Sequence, residues 1–311
     1  MKKVTCICTL AVLLIFFCIS ACRKTGELSY TNPNGTTSGT KPDSTSTKDT
    51  STSSVVVPFP KTPVTQCSGA PNYGDSIIYL QPVAGDYIVR PLNNPDTGKY
   101  FSWPVGMMLD KNTGAINVSR SENGLRYNIG YVRKGTTDTC MQTIILAGAS
   151  YPDSVFVLAN GEQFELPYFN ANPNLISICS GQTTGGITCM FDIDNNATNK
   201  HISIDHNTGV IDLKKTLNQG AFGLLPLDGT TISTTIAYKL NDNSSMAMQH
   251  IPVNMIYYTR KQDVPASLLA AVEDKLNKVT QSLLLINLIA TPDRGNTGNP
   301  RPPIIIVTRF D

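Results

Sequence analysis

The nonapeptide LDKNTGAIN, Leu109 to Asn117, returns later in the chain as IDHNTGVID, Ile204 to Asp212. The match extends well past the two strings. They align at an offset of 95 residues. Beyond them, Asn128–Val132 (NIGYV) faces Thr235–Lys239 (TIAYK), Met141-Gln142 faces Met248-Gln249, and Tyr151 faces Tyr258, all at an offset of 107. A match this long with one length change reads as an internal duplication. The second copy then carries about twelve extra residues, assigned to the loop containing QGAFGLLPLDG.

The repeated string has a mechanical explanation. Apolar residues alternate on both sides of its centre: Met107, Leu109, Ile116 and Val118 in one copy, Ile202, Ile204, Ile211 and Leu213 in the other. Between them Asn-Thr-Gly supplies a tight reversal, with Gly114 or Gly209 where the backbone needs positive φ. Asp110 or Asp205 is placed to accept hydrogen bonds from the turn amides. A calcium loop of the EF-hand type needs glycine at its sixth position, whereas Gly114 is fifth counted from Asp110. The reading is a hairpin turn used twice.

Short alternating apolar runs recur elsewhere, as in IIYL at Ile77, YIVRPL at Tyr87, RYNIGYV at Arg126 and TISTTIAYKL at Thr231, and each suits a strand. The turn with its strand-like flanks resembles the hairpin of cadherin-like and immunoglobulin-like repeats in bacterial secreted proteins. That resemblance implies an all-β fold of two tandem β-sandwich domains and is silent on function. Cadherin repeats place calcium between domains with acidic linker motifs. The linker here, Tyr151-Pro152-Asp153-Ser154, lacks such a cluster. Asp192 and Asp194, in Asp-Ile-Asp-Asn-Asn, are the nearest to an oxygen-rich calcium set, with a polar loop as the alternative.

The N-terminus reads as a secretory signal, with Lys2 and Lys3 before an apolar stretch from Val4 to Ile19. Its end, Ile19-Ser20-Ala21-Cys22, resembles the lipobox of bacterial lipoproteins, which implies cleavage before Cys22 and lipidation of that thiol. A lipid at Cys22 would anchor the chain to a bilayer. Residues 22–64 are dominated by Ser, Thr, Gly, Pro and Asn, too poor in apolar surface to offset chain entropy, and read as a disordered stalk. Cys67, Cys140, Cys179 and Cys189 remain in an oxidising compartment, where disulfides are expected. Spacing favours Cys67–Cys140 and Cys179–Cys189. No CxxC pair supports a zinc site.

Catalytic chemistry finds little support. His201, His206 and His250 are the three histidines, and no G-x-S-x-G, H-E-x-x-H or P-loop occurs. A formal charge of +2 with no basic stripe argues against a nucleic-acid partner. No cofactor is expected. Exposed aromatics are the functional lead, because sugar and protein ligands favour Trp and Tyr. The candidates for ligand contact are Tyr100 and Trp103, in Tyr-Phe-Ser-Trp-Pro, with core packing as the alternative. Near the C-terminus, Leu269, Val272, Leu276, Val279, Leu283 and Ile286 form a heptad-like stripe on a helix within 264–290, suited either to packing on the second sandwich or to self-association. Ile304–Thr308 (IIIVT) reads as a closing strand that pairs with a sheet edge, the chain's own or a partner's.

The expected organisation is therefore a signal peptide (1–21), a lipid anchor and stalk (22–64), β-sandwich repeats at 65–151 and 152–260, and a C-terminal helix and strand (261–311). The expected function is a non-catalytic binding or adhesion module of the cell envelope, anchored at the outer membrane, with a glycan or protein ligand. The alternatives are a structural subunit joined through the C-terminal elements and an accessory carbohydrate-binding lipoprotein.

Overall fold

A computed structural model of the chain describes residues 70–93, 98–136, 139–172, 178–179, 189–283 and 300–311. The signal, Cys22, the stalk, Cys67 and the helical stripe at Ile286 lie outside these residues. In the first unit, β1 (Ile77–Ile78), β2 (Ile88–Val89), β3 (Gly98–Trp103), β4 (Ile116–Asn117), β5 (Arg126–Arg133) and β6 (Thr139–Leu146) follow one another. A four-stranded sheet runs β1-β6-β5-β3, and β2 pairs with β4 in a second layer. Tyr127, Ile129 and Tyr131 alternate along β5 and are all buried, as the period of two requires for a strand with one face on a core. That core also takes Ile116, Val118, Leu125 and Leu146.

The chain passes through β7 (Ala149–Ser150) into β8 (Ser154–Val157), β9 (Phe164–Glu165), β10 (Tyr168–Phe169), β11 (Cys189–Phe191) and β12 (Ile211–Asp212). Helix α1 (Leu213–Asn218), the long strands β13 (Thr230–Leu240) and β14 (Gln249–Arg260), helix α2 (Ala266–Leu283) and β15 (Ile304–Phe310) complete it. The second sheet runs β11-β13-β14-β15-β8, with β9 and β12 paired beside it. Ile251, Val253, Met255 and Tyr257 of β14 face its core while His250 and Pro252 are exposed. Cys179 and Cys189 form a disulfide. Cys140 is also disulfide-bonded.

The two units are built alike, down to single hydrogen bonds. Asp110 Oδ1 accepts from the Asn112 and Thr113 amides, both at 2.8 Å. Asp205 Oδ1 accepts from Asn207 and Thr208, both at 2.9 Å. Gly114 and Gly209 have φ of +69° and +75°. The strand reading stops one residue short on the far side of each turn. Val118 opens a 3₁₀ turn capped by Asn117, and Leu213 opens α1 capped by Asp212, whose carboxylate accepts from the Lys215 amide at 2.8 Å.

The register corrects two alignments. Tyr131 pairs with Cys140 and Tyr238 with Gln249, so Gln249 occupies the position of Cys140, not that of Gln142. Tyr151 also belongs with the second unit. Its hydroxyl donates to the Gly209 carbonyl at 2.6 Å, as the Tyr73 hydroxyl donates to Gly114 at 2.7 Å. Each unit thus opens on Tyr-x-Asp-Ser, at Tyr73 and at Tyr151.

The two units pack against each other within one compact body that takes in all the described residues. Ala247, from the β13–β14 hairpin, is buried in the first core, and Gln81 Nε2 donates to the Asn243 carbonyl at 3.1 Å. Helix α2 spans both units. Val279 enters the first core, while Val272 packs with Tyr258, Val264 and Ile306 on the outer face of the second sheet. This part of the apolar stripe is covered within the chain. No described helix is long and apolar enough to cross a membrane.

Candidate binding surface

Tyr100 is buried, with its ring centroid 4.9 Å from that of Tyr131. It covers the first turn: a Cβ on Gly114 would lie 2.6 Å from its ring. Phe191 does the same over Gly209 and stacks on Tyr238 at 5.4 Å. Tyr100 is a lid on a turn and is closed to solvent, which corrects its reading as a ligand contact. Trp103 is half-buried at the end of β3. Tyr168 and Phe169 are buried too.

The calcium candidates are spent within their own loop. Asp192 is buried with φ +51°. Its carboxylate accepts from the Ala197 amide at 2.8 Å, and from the Thr198 amide and hydroxyl at 2.9 and 2.7 Å. Asp194 binds Asn196. Among the described residues no group of three or more His, Cys, Asp or Glu is arranged to hold a metal ion. His206 Nδ1 lies 2.9 Å from the Phe191 carbonyl, and a cavity of about 410 Å³ beside the first turn, lined by Ile88, Arg90, Met107, Leu109, Asp110 and Asn117, contains no histidine or cysteine.

Exposed apolar surface lies elsewhere. Leu224, Leu225 and Leu227 retain 95, 85 and 75% of their accessible surface. They occupy the loop between α1 and β13, the segment by which the second copy exceeds the first. Its two feet are fixed. Phe222 is buried with its ring 5.7 Å from Tyr257. Asp228 Oδ1 accepts from the Thr259 amide at 2.6 Å, and the Gly229 amide donates to the Tyr257 carbonyl at 2.8 Å. The Thr230 hydroxyl binds the Leu227 carbonyl at 2.7 Å. Between these feet the leucines touch solvent instead of core.

The loop sits at one end of the second sheet. Gln249, where β14 begins, faces the first unit through Tyr238, whose hydroxyl meets Ala149; Arg260, where it ends, pairs with Phe310. The leucines and the half-exposed Phe310 therefore occupy the end of the second sheet that faces away from the first unit. The sequence marks this loop by its extra length but not by the exposure of its leucines, although Leu-Leu-Pro-Leu between Gly223 and Gly229 is itself unusual for a loop.

A group of polar residues, half-buried to fully buried, lies at the junction of the units. Lys275 Nζ, on α2, lies 2.9 Å from Glu122 and 3.8 Å from Asp153, and Arg301 Nη2 lies 2.5 Å from Asp153. The Ser154 hydroxyl donates to Glu165 at 2.7 Å. Burial pushes the Glu165 carboxyl up to about 8, and burial also raises Glu122 and Asp153 against the lowering effect of Lys275. Three acids held by two cations and a hydroxyl tie these elements together.

No family model matches the sequence, and no curated protein matches it. Among solved structures, two crystal forms of human protocadherin-24 EC1-2 are similar. One is 11% identical, with a TM-score of 0.19 over 60% of this chain and 95% of that one. The other is 8% identical, with a TM-score of 0.20 over 58% of this chain and 91% of that one. Drosophila N-cadherin EC1-4 is 12% identical, with a TM-score of 0.17 over 60% of this chain and 47% of that one. Identity and superposition are both low, so no residue or ligand is carried over from these proteins.

Proposed function

We propose that this protein is a non-catalytic binding module, tethered to an envelope membrane by a lipid on Cys22, whose contact surface is the Leu224–Leu227 loop. The observation that carries the reading is the exposure of three leucines on a loop anchored at both feet. The first unit folds without that loop, so the fold does not require it. Contiguous exposed apolar surface of this kind marks a contact with another molecule. The stalk at 22–64 would hold the units off the bilayer by some tens of ångströms, at about 5–6 Å times the square root of its length.

The loop's composition points to an apolar pocket on a protein. Residues 219–230 contain no Lys or Arg to attract anionic lipid, and their single charge, Asp228, is committed to Thr259. A carbohydrate ligand finds less support, since Tyr100 is closed and Trp103 is half-buried. The test is retention of protein-coated beads on cells of the producing organism, for the wild type and for the Leu224→Ser, Leu225→Ser, Leu227→Ser variant. Retention of the variant should fall at least about tenfold, a change of about 1.4 kcal/mol in binding, with an unchanged melting temperature. Equal retention would remove the loop from the function.

A further inference from the structure

The duplication supplies an internal reference for the C-terminus. In the first unit β1 lies directly on β6, parallel, with Ile77 opposite Ile145 and Ile78 opposite Leu146. The matching strand of the second unit is β8, which follows Tyr151-Pro152-Asp153 as β1 follows Tyr73-Gly74-Asp75. It does not lie on β14. Between them runs β15, parallel to both, with Met255 opposite Ile305 on one side and Ile305 opposite Ser154 on the other. The second sheet is one strand wider than its template, and the added strand is the last segment of the chain.

The slot that holds β15 encloses the middle of the strand. Ile305, Ile306, Val307 and Thr308 are fully buried. Ile305 and Val307 enter the main core, Ile306 enters the cluster under α2, and the Thr308 hydroxyl donates to the Phe156 carbonyl at 3.0 Å. A clasp stands at the entrance. Asp153 accepts from Arg301 and, at 3.3 Å, from the Ile304 amide, while Lys275 Nζ donates to the Arg301 carbonyl at 2.9 Å. All of these contacts are made to residues 301–310, and none depends on which chain supplies them.

We propose that the slot between β8 and β14 accepts the C-terminal segment of a second copy as it accepts its own, so that chains of this protein link by exchanging β15. The occupant is a second copy because the side-chain pockets and the clasp fit this segment, and an exchanged strand restores every contact it breaks. Edge templating by β8 and β14 supplies the backbone part of the recognition. The proposal is independent of the leucine loop, and loss of bead retention in the leucine variant has no bearing on it.

The test uses full-length chains with two different tags, co-expressed, one carrying Ile256→Cys and the other Ile306→Cys. These positions are direct partners in the parallel ladder. Exchange predicts a disulfide-linked heterodimer carrying both tags, well above the level of either single-cysteine chain alone. A chain carrying both substitutions is the control for folding and geometry. If that chain closes its internal disulfide while the mixed pair gives no inter-chain product, including after incubation in mild denaturant and return to buffer, exchange is overturned. A mixed product that disappears when Ile306→Cys is combined with Arg301→Ala on the same chain would assign the clasp its part; persistence at full yield would remove the clasp from the proposal.

Discussion

Lys275 Nζ lies 2.9 Å from Glu122 Oε1, joining helix α2 to the 3₁₀ turn region of the first unit across 153 residues of sequence. Both side chains are almost inaccessible, and Asp153, at 3.8 Å from the same ammonium, is wholly so. Removing one partner from a buried pair leaves an uncompensated charge, which costs more than the pair itself contributes. Lys275→Met should therefore lower the unfolding free energy by about 3–5 kcal/mol. Lys278→Met is the contrast, because Lys278 and Asp274 pair on the solvent side of the same helix. Its cost should stay below about 1 kcal/mol. Denaturant unfolding of the two variants side by side measures both; equal costs would contradict the buried clamp.

Glu165 occupies the place that Val89 fills in the first unit, since β9 pairs with β12 as β2 pairs with β4. Burial in an apolar position disfavours the charged carboxylate and raises its pKa from 4.5 to about 8, against the lowering effect of the Ser154 hydroxyl that donates to it. The folded state then binds a proton that the unfolded chain releases above 4.5. Its contribution to stability is full below that value and is lost as pH rises through about 8. Glu165→Gln keeps an oxygen for Ser154 and has nothing to titrate. The gap between the two proteins should open by a few kcal/mol between pH 5 and pH 8, on the order set by 1.4 kcal/mol per pKa unit. Parallel stability curves across that range would refute the assignment.

Gly114 and Gly209 should respond to substitution as a matched pair. Each has positive φ, and a Cβ would meet an aromatic ring at 2.6 Å from Tyr100 or 2.7 Å from Phe191. Gly→Ala at either site should cost about 2 kcal/mol or more, from backbone strain together with displacement of a packed ring. Thermal melts that differ widely between the two variants would break the equivalence of the turns.

What could be read in advance followed from local chemistry. The turn was legible because aspartate, positive-φ glycine and flanking apolar residues all act within nine residues. The strands at Ile77, Arg126 and Thr231 were legible by alternation, and the helix by its stripe. Three features were hidden because they depend on distant partners. Gln249 takes the Cys140 position because the second hairpin loop is longer, so Met-Gln aligned in sequence but not in register. Tyr151 looked like the close of the first unit until its bond to Gly209 matched it to Tyr73, although Tyr-x-Asp-Ser was present in both places. The slot for Ile304–Phe310 between β8 and β14 has no local signature at all. Tyr100 misled because an aromatic beside a turn reads the same whether it meets a ligand or covers a glycine.

The leucine loop permits a sharper division of labour between its tip and its feet. Leu224 and Leu225 touch little of the protein, so deleting Leu224–Pro226 while keeping Gly223 and Leu227, whose carbonyl accepts from Thr230, removes almost no buried surface. Shortening a loop changes closure entropy by only a few tenths of a kcal/mol. Stability should stay within about 0.5 kcal/mol of the wild type. Phe222→Ala should behave oppositely, costing about 3–4 kcal/mol, because it empties a site packed against Tyr257. Denaturant midpoints of the two variants decide the matter. A tip deletion that costs as much as Phe222→Ala would mean that the leucines support the fold, and the contact surface would have to be sought elsewhere. A neutral deletion would show that Leu224 and Leu225 have no part in stability, as the proposed contact surface requires.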